Sequence, residues 1–227
     1  MQQGTGLGKM LESKKHVFWE ALLIATVIFV FGFLLGIAYE SSNLTKINNF
    51  YLSSEIDLAD ELGIIQLMNQ GDYDCEILEE TNVELADKVY RQALILEDYE
   101  SAGVITDSMK LMHKKFDILR TFIWLNTFTS KSECSSNYTT IVYLYDYESK
   151  DLIKKARQNV ISKILKEIKD DHPNNMILLP ISANQNISSL NLITSNFEIP
   201  EYPAVIINNK HVVTNIEHTS DIEKYLQ

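Results

Sequence analysis

The sequence has little positive charge. It contains 20 lysine and arginine residues against 31 aspartate and glutamate residues, for a formal net charge of -11 at pH 7. The imbalance is concentrated in residues 53 to 101, which hold 14 acidic side chains but only Lys88 and Arg91 as basic ones. Because nucleic acids bind basic surfaces, we expect no nucleic-acid partner. This acidic region is either a solvated surface or a docking surface for a basic partner or divalent cations.

Long apolar runs are lacking except at residues 17 to 39. That segment carries one charged side chain, Glu20, and a helix of its length crosses a hydrocarbon layer of about 30 Å. It predicts a transmembrane helix. The alternative is a secretory signal peptide, whose apolar region is shorter and ends in small residues before a cleavage site. Gly32 and Gly36 form a small-xxx-small pair, which is the spacing for a homo-oligomer through this helix.

Lysines precede this segment more often than they follow it. Lys9, Lys14 and Lys15 stand before it, whereas the first lysine after it is Lys46. The positive-inside rule therefore predicts a cytoplasmic tail at residues 1 to 16 and an extracytoplasmic part of 188 residues, from 40 to 227. The predicted protein is a single-pass signal-anchor protein of the cell membrane, with the lipid bilayer as a partner.

Cysteine is also scarce. Cys75 and Cys134 are the only two, and both lie in the predicted outer part. An even number of cysteines in an oxidising compartment predicts a disulfide, and the alternative is two buried free thiols. The same outer part contains three Asn-X-Ser/Thr sequons, which are candidate glycosylation sites if the source organism uses them: Asn43, Asn137 and Asn186.

The sequence contains no recognisable metal motif. Asp72, Asp74 and Glu76 alternate after Gly71, but a calcium loop needs the glycine inside the acidic series and a later bidentate glutamate. We therefore predict no metal site and no cofactor.

Residues 40 to 133 predict an acidic helical stalk. Apolar residues recur there at helical spacing, with a break at residues 69 to 74. A second helix is predicted to begin near Thr81, which forms a capping box with Glu84. A third has apolar residues in alternating steps of four and three, typical of a helix-packing seam: Ile105, Met109, Met112, Phe116, Leu119 and Ile123. We expect two or three packed helices in this stalk.

From residue 134 to residue 227 the sequence pattern is different, because predicted strands and helices alternate. This predicts a mixed α/β domain of the α+β type. Strands are predicted at 139 to 145 and 176 to 180, and a hairpin at 204 to 213 turns at Asn208 and Asn209. Helices are predicted at 151 to 170, 188 to 196 and 219 to 226, the first capped by Ser149 or Asp151. That first helix is expected to bury one stripe: Ile153, Ala156, Val160, Ile161, Ile164, Leu165 and Ile168. The order βαβαββα predicts a parallel strand pair joined by a crossover, with the hairpin antiparallel.

A Tyr202-Pro203 pair opens the hairpin. Proline has no N–H to donate, so Pro203 begins its strand or lies on a sheet edge. An X-Pro bond at the entry to the third strand of a βαβαββα order resembles the thioredoxin fold, over residues 138 to 227. The chain looks most like the membrane-tethered, extracytoplasmic thioredoxin-like proteins of archaea and bacteria. The resemblance implies a cis proline at Pro203 facing a redox motif, with Tyr202 in a place often taken by threonine.

The redox motif of that family is missing. It would place Cys-X-X-Cys where the first strand turns into its helix, and this chain has Tyr147, Glu148, Ser149 and Lys150 there. A helix N-terminus makes a thiol there a reactive thiolate, whereas serine has no comparable nucleophilicity. We therefore predict no catalytic residue and a domain that serves as a binding or scaffolding module for another protein or an extended peptide. The alternative is an extracytoplasmic thiol-disulfide oxidoreductase that uses Cys75 and Cys134.

Overall fold

A computed structural model of the chain describes residues 6–71, 73–102, 107–173 and 175–226. The chain divides into two compact units, Met1–Leu52 and Ser53–Gln227. The first helix, α1, spans Gly6–Gln70 and includes the apolar segment Val17–Ile37, which has a mean hydropathy of 2.5. None of that segment is buried, and it is long and apolar enough to be a membrane anchor or a signal sequence. Its topology and the predicted domain boundaries at 16, 39 and 133 stay predictions.

Two further helices form a pair in the second unit. The helices α2 (Cys75–Ala102) and α3 (Asp107–Cys134) pack against each other. The Asp74 carboxylate accepts hydrogen bonds from the backbone N–H groups of Glu76 at 2.9 Å and Ile77 at 3.3 Å, so it caps α2. The predicted start at Thr81 is therefore wrong, because a stronger cap stands seven positions earlier.

The apolar seam predicted for α3 is confirmed from Met112 onward, whereas Met109 is only half-buried. Met112, Phe116, Leu119 and Ile123 are each at most 3% exposed. Ile105, the first member of the predicted seam, lies outside the described residues. The alternating spacing therefore identifies the face of α3 that enters the core.

The remaining elements form a small mixed sheet with three helices. Their order is β1 (Thr139–Tyr145), α4 (Leu152–Asp171), β2 (Met176–Ser182), α5 (Ser188–Thr194), β3 (Ala204–Ile207), β4 (His211–Val213) and α6 (Ser220–Glu223). The strand order across the sheet is β2-β1-β3-β4. β1 and β2 are parallel, whereas β3 is antiparallel to both β1 and β4. The predicted crossover and hairpin are both confirmed.

Helices cover both faces of this sheet. One face carries a core shared with α4 and α6: Ile141, Val205, Ile207, Ile161, Leu165, Ile168 and Ile222 are each at most 1% exposed. The other face is buried as well, at Val142, Leu144 and Ile206. α3 contacts β1, β2 and α5, and α2 contacts the edge strand β2. The α2–α3 pair is thus packed against the sheet in the second unit.

The first half of α4 differs from its prediction. Ile161, Ile164, Leu165 and Ile168 are buried as expected, but Ile153 is 82% exposed and Val160 is 49% exposed, and Ala156 is exposed too. The reason is their position around the helix: at 100° per residue these three side chains lie about 80° to 140° to one side of Ile161, at and beyond the edge of the buried stripe. Val160 lies between the buried Gln158 and Ile161, so its position along α4 does not account for its exposure.

Candidate functional site at the carboxyl end of the sheet

Three chain segments meet at one end of the sheet. Because β1 and β2 are parallel, their carboxyl ends lie side by side, with Tyr145 paired to Ser182. Antiparallel β3 starts at the same end, where Ala204 pairs with Leu144. Pro203 therefore lies beside the segment that follows β1, and the Tyr202–Pro203 peptide bond is cis. The four residues predicted at the redox-motif position, 147 to 150, share this end of the sheet.

The loop after β1 is held by specific hydrogen bonds. The Asn184 side chain accepts from the Tyr147 N–H and donates to the Tyr147 carbonyl, both at 2.9 Å. Glu148 has a φ of 51° and pairs with Lys110 of α3 at 3.1 Å. The Asp151 carboxylate caps α4 by accepting from the N–H groups of Ile153 and Lys154. This loop thus presents carboxylate, hydroxyl, amine and phenol groups, and no thiol, at the helix N-terminus.

Charged pairs surround the Pro203 corner. Lys154 donates to Asp146 at 2.6 Å, and Arg157 donates to Glu201 at 2.9 Å and to the Thr214 carbonyl at 2.6 Å. Burial, and secondarily the Asp146 carboxylate, raises the pKa of Tyr202 above its ordinary value, so its phenol stays protonated at neutral pH. The arrangement attaches α4 to the segment that precedes Pro203.

The two cysteines lie elsewhere. Cys75 and Cys134 form a disulfide that joins the first residue of α2 to the last residue of α3, which confirms the predicted bridge. Cys134 precedes β1 and the loop at 146 to 150 follows it, so the seven-residue strand places them about 20 Å apart. The disulfide and the Pro203 corner are therefore at opposite ends of β1.

A buried polar cluster lies beside the corner and was not predicted. The Asp117 side chain is fully buried, accepts from the Ser182 hydroxyl and pairs with Arg120 at 3.2 Å. Its Oδ2 is 3.8 Å from Nε2 of His113, and that nitrogen is hydrogen-bonded to the Tyr145 hydroxyl at 2.7 Å. The cluster thus joins α3 to the carboxyl ends of both parallel strands.

Burial has the largest effect on the pKa of Asp117 in this cluster. Loss of water raises the pKa of Asp117 above its ordinary value, even though His113, Arg120 and the Ser182 hydroxyl each lower it. A sequence signal for the cluster exists in retrospect. His113, Asp117 and Arg120 follow one another at spacings of four and three, so they form a polar stripe on α3 about 100° from the apolar seam.

A cavity of about 210 Å³ opens next to the cluster. It lies between the α2–α3 pair on one side and β1, β2 and α4 on the other. Aromatic side chains dominate its lining, with Tyr90 from α2 and Tyr143, Tyr145 and Tyr147 from β1 and its loop, and Arg120 lines it as well. The rings of Tyr143 and Tyr145 stack at 5.4 Å, and that of Tyr147 lies 4.0 Å from the His113 ring.

The other predicted site residues fall outside this region. Asn137 and Asn186 have exposed side chains, and the side chain of Asn43 lies outside the described part of the structure. Their glycosylation stays a prediction. Within the described ranges, no group of three or more His, Cys, Asp or Glu side chains could hold a metal ion.

Comparisons with protein-family models, with curated proteins and with solved structures found no match for the chain. The structure itself defines an α+β protein with one apolar N-terminal helix and a four-stranded mixed sheet.

Proposed function

We propose that the chain is a membrane-anchored protein with a thioredoxin-like domain outside the membrane. The domain has no redox activity and binds an extended segment of another protein. The strand order β2-β1-β3-β4, with one parallel pair and an antiparallel hairpin, is that of the minimal thioredoxin sheet and supports this assignment. One observation carries the function. The corner at Pro203 and the N-terminus of α4 is present without a thiol, and both cysteines are bridged at the other end of β1.

The backbone at the corner is available for pairing with an extended chain. Among the described residues, the N–H and C=O of Tyr202 make no hydrogen bond. An extended peptide can add to such unpaired backbone groups, with affinity from main-chain hydrogen bonds and specificity from neighbouring side chains. This supports a strand-like mode of binding at Tyr202.

The first turn of α4 adds apolar surface beside this backbone. Leu152 and Ile153 are 80% and 82% exposed. Ile153 stands one helical turn before Arg157, which donates to Glu201 next to Tyr202. Exposed apolar side chains rimmed by charged pairs are typical of protein-binding surfaces. We expect the bound segment to contact Ile153 while pairing with Tyr202.

Redox activity is tested by insulin reduction with the full chain in detergent micelles and dithiothreitol as the electron source. We expect no turnover above dithiothreitol alone, and the same rate for the double variant Cys75→Ser/Cys134→Ser. Turnover that disappears in the double variant would instead establish a thiol-disulfide oxidoreductase that uses this pair.

Binding is tested with reduced, alkylated α-lactalbumin, an unfolded polypeptide without thiols. We expect the full chain to bind it and the variant Ile153→Asp to weaken binding about tenfold, because the charge would be desolvated at the contact. The matched control is Leu192→Asp, since Leu192 is also helical and 73% exposed but lies on α5. Equal loss in both variants, or no binding by the parent chain, would contradict the proposal.

A further inference from the structure

The cavity between the α2–α3 pair and the sheet contains a cation with unused hydrogen-bond donors. Arg120 lines it and is only 4% exposed. A guanidinium has five N–H donors, and the Arg120 side chain makes one hydrogen bond to a described residue, from Nη1 to Asp117. Its Nε is buried without a partner. Since an unpaired buried donor is costly, an acceptor supplied by a ligand would stabilise this arrangement.

Asp117 does not supply that missing acceptor. Its Oδ1 already accepts from Arg120, and its Oδ2 accepts from the Ser182 hydroxyl and lies near His113. Glu97, an acidic side chain that does line the cavity, is exposed. The deep part of the cavity is therefore open to one anionic group, while Glu97 disfavours a second one.

Size and lining restrict the rest of the ligand. The cavity volume of about 210 Å³ exceeds the roughly 150 Å³ of an engineered cavity that holds benzene. It therefore has room for one ring and a small polar group. The stacked Tyr143 and Tyr145 rings, together with Tyr90 and the buried Phe116, offer flat apolar contact. A planar body fits these surfaces better than a branched or highly polar one.

We propose that this cavity binds a small monocarboxylate with a flat apolar body of about ten non-hydrogen atoms. The carboxylate accepts from the free donors of Arg120, and the body lies among the tyrosine rings. This site differs from the peptide-binding corner, and the inference does not depend on the function proposed above.

The probe is phenylacetate, titrated calorimetrically into the full chain in detergent micelles. Phenylacetamide is the matched control, because it has the same size and ring but no charge. We expect saturable one-site binding of phenylacetate with a dissociation constant of about 1 mM or tighter. We expect binding of phenylacetamide to be about tenfold to a hundredfold weaker, since the charge-assisted hydrogen bond to Arg120 is lost. Equal affinities for the two probes, or no saturable binding of phenylacetate, would overturn the proposal.

Two variants locate the site. Arg120→Gln is expected to remove the preference for phenylacetate over phenylacetamide. Because that buried position also affects folding, Asn159→Phe serves as a second variant, since Asn159 lines the cavity yet is exposed. We expect the phenylalanine to block the cavity and weaken binding at least about tenfold. The control Asn191→Phe changes an exposed asparagine on α5 and should bind as the parent does. Unchanged binding in Asn159→Phe would show that the ligand binds elsewhere.

Discussion

Asp117 shows how one buried carboxyl responds to its surroundings. Its pKa is raised by burial above the ordinary value of 3.8, in spite of His113, Arg120 and Ser182. A raised pKa means that the folded chain binds the proton more tightly than the unfolded chain does. The stability contributed by this group is therefore complete below about pH 3.8 and is lost as the pH rises through the folded-state pKa.

We predict that the free energy of unfolding of the parent, minus that of Asp117→Asn, falls as the pH rises above about 3.8. The asparagine does not titrate, so the difference removes the contributions of groups that do not interact with the Asp117 carboxyl group. The measurement is urea unfolding of both full chains at a series of pH values.

Asp221 serves as a control because its pKa is shifted in the opposite direction from that of Asp117. Backbone N–H groups of Glu217 and His218 lower its pKa, so its contribution is present above about pH 3.8 and is lost as the pH falls through the folded-state value. The difference between the parent and Asp221→Asn should therefore rise with pH. Parallel slopes for the two substitutions would contradict the burial argument for Asp117.

At the scale of an element, the β3–β4 turn is attached to α3. Asn208 and Asn209 have φ values of 52° and 57°, and both lie in the three-residue loop that joins Ile207 to its partner His211. The side-chain oxygen Oδ1 of Asn208 accepts from the Thr140 N–H at 3.1 Å and from Lys131, while Trp124 donates to Oδ1 of Asn209 at 2.7 Å. These bonds tie the hairpin to α3 and β1.

We predict that Asn208→Ala destabilises the chain by about 1 kcal/mol more than Asn208→Gly does. Both substitutions remove the acceptor used by Thr140 and Lys131. Only glycine adopts the left-handed conformation without a Cβ clash, so the difference between the variants measures that conformational cost. Denaturant unfolding gives both values. Equal stabilities would mean that the turn changes conformation when its side-chain bonds are lost.

The elements also show which patterns the sequence encodes directly. The alternating spacing of Phe116, Leu119 and Ile123 identified the buried face of α3, because it depends only on helix geometry. The same pattern misassigned Ile153 and Val160, because they lie at the edge of the apolar stripe of α4, to one side of the fully buried Ile161. Helical periodicity indicates which side chains share a face, whereas the partner element determines how much of that face is covered.

At the scale of the whole chain, the order of strands and helices was predictable and the cavity was not. The βαβαββα order follows from local periodicity and turn residues such as Asn208. The cluster of Asp117 and Arg120 requires α3 to pack beside Tyr145 and Ser182, residues that are distant in sequence. The placement of the α2–α3 pair against β2 has no local sequence signal, so the spacing of His113, Asp117 and Arg120 along α3 could not by itself predict the site.

The disulfide acts on the whole chain as well. It joins positions 59 residues apart and thereby restricts the unfolded state. We predict that the double variant Cys75→Ser/Cys134→Ser loses about 4 kcal/mol of stability in the chain-entropy model. Denaturant unfolding of the full chain under non-reducing conditions measures this loss. A loss below about 1 kcal/mol would mean that the unfolded chain remains compact without the bridge.

The last prediction concerns the orientation of the chain in a membrane. If Val17–Ile37 is a retained anchor with its N-terminus in the cytoplasm, a cysteine at position 188 is outside and one at position 13 is inside. We expect Ser188→Cys, which is exposed on α5, to react with a membrane-impermeant maleimide on intact cells. Ser13→Cys should react only after permeabilisation. The two native cysteines are bridged and stay unlabelled, so the parent is the background control. Loss of the N-terminal segment from the mature protein on a gel would identify a cleaved signal sequence, and labelling of Ser13→Cys on intact cells would reverse the topology.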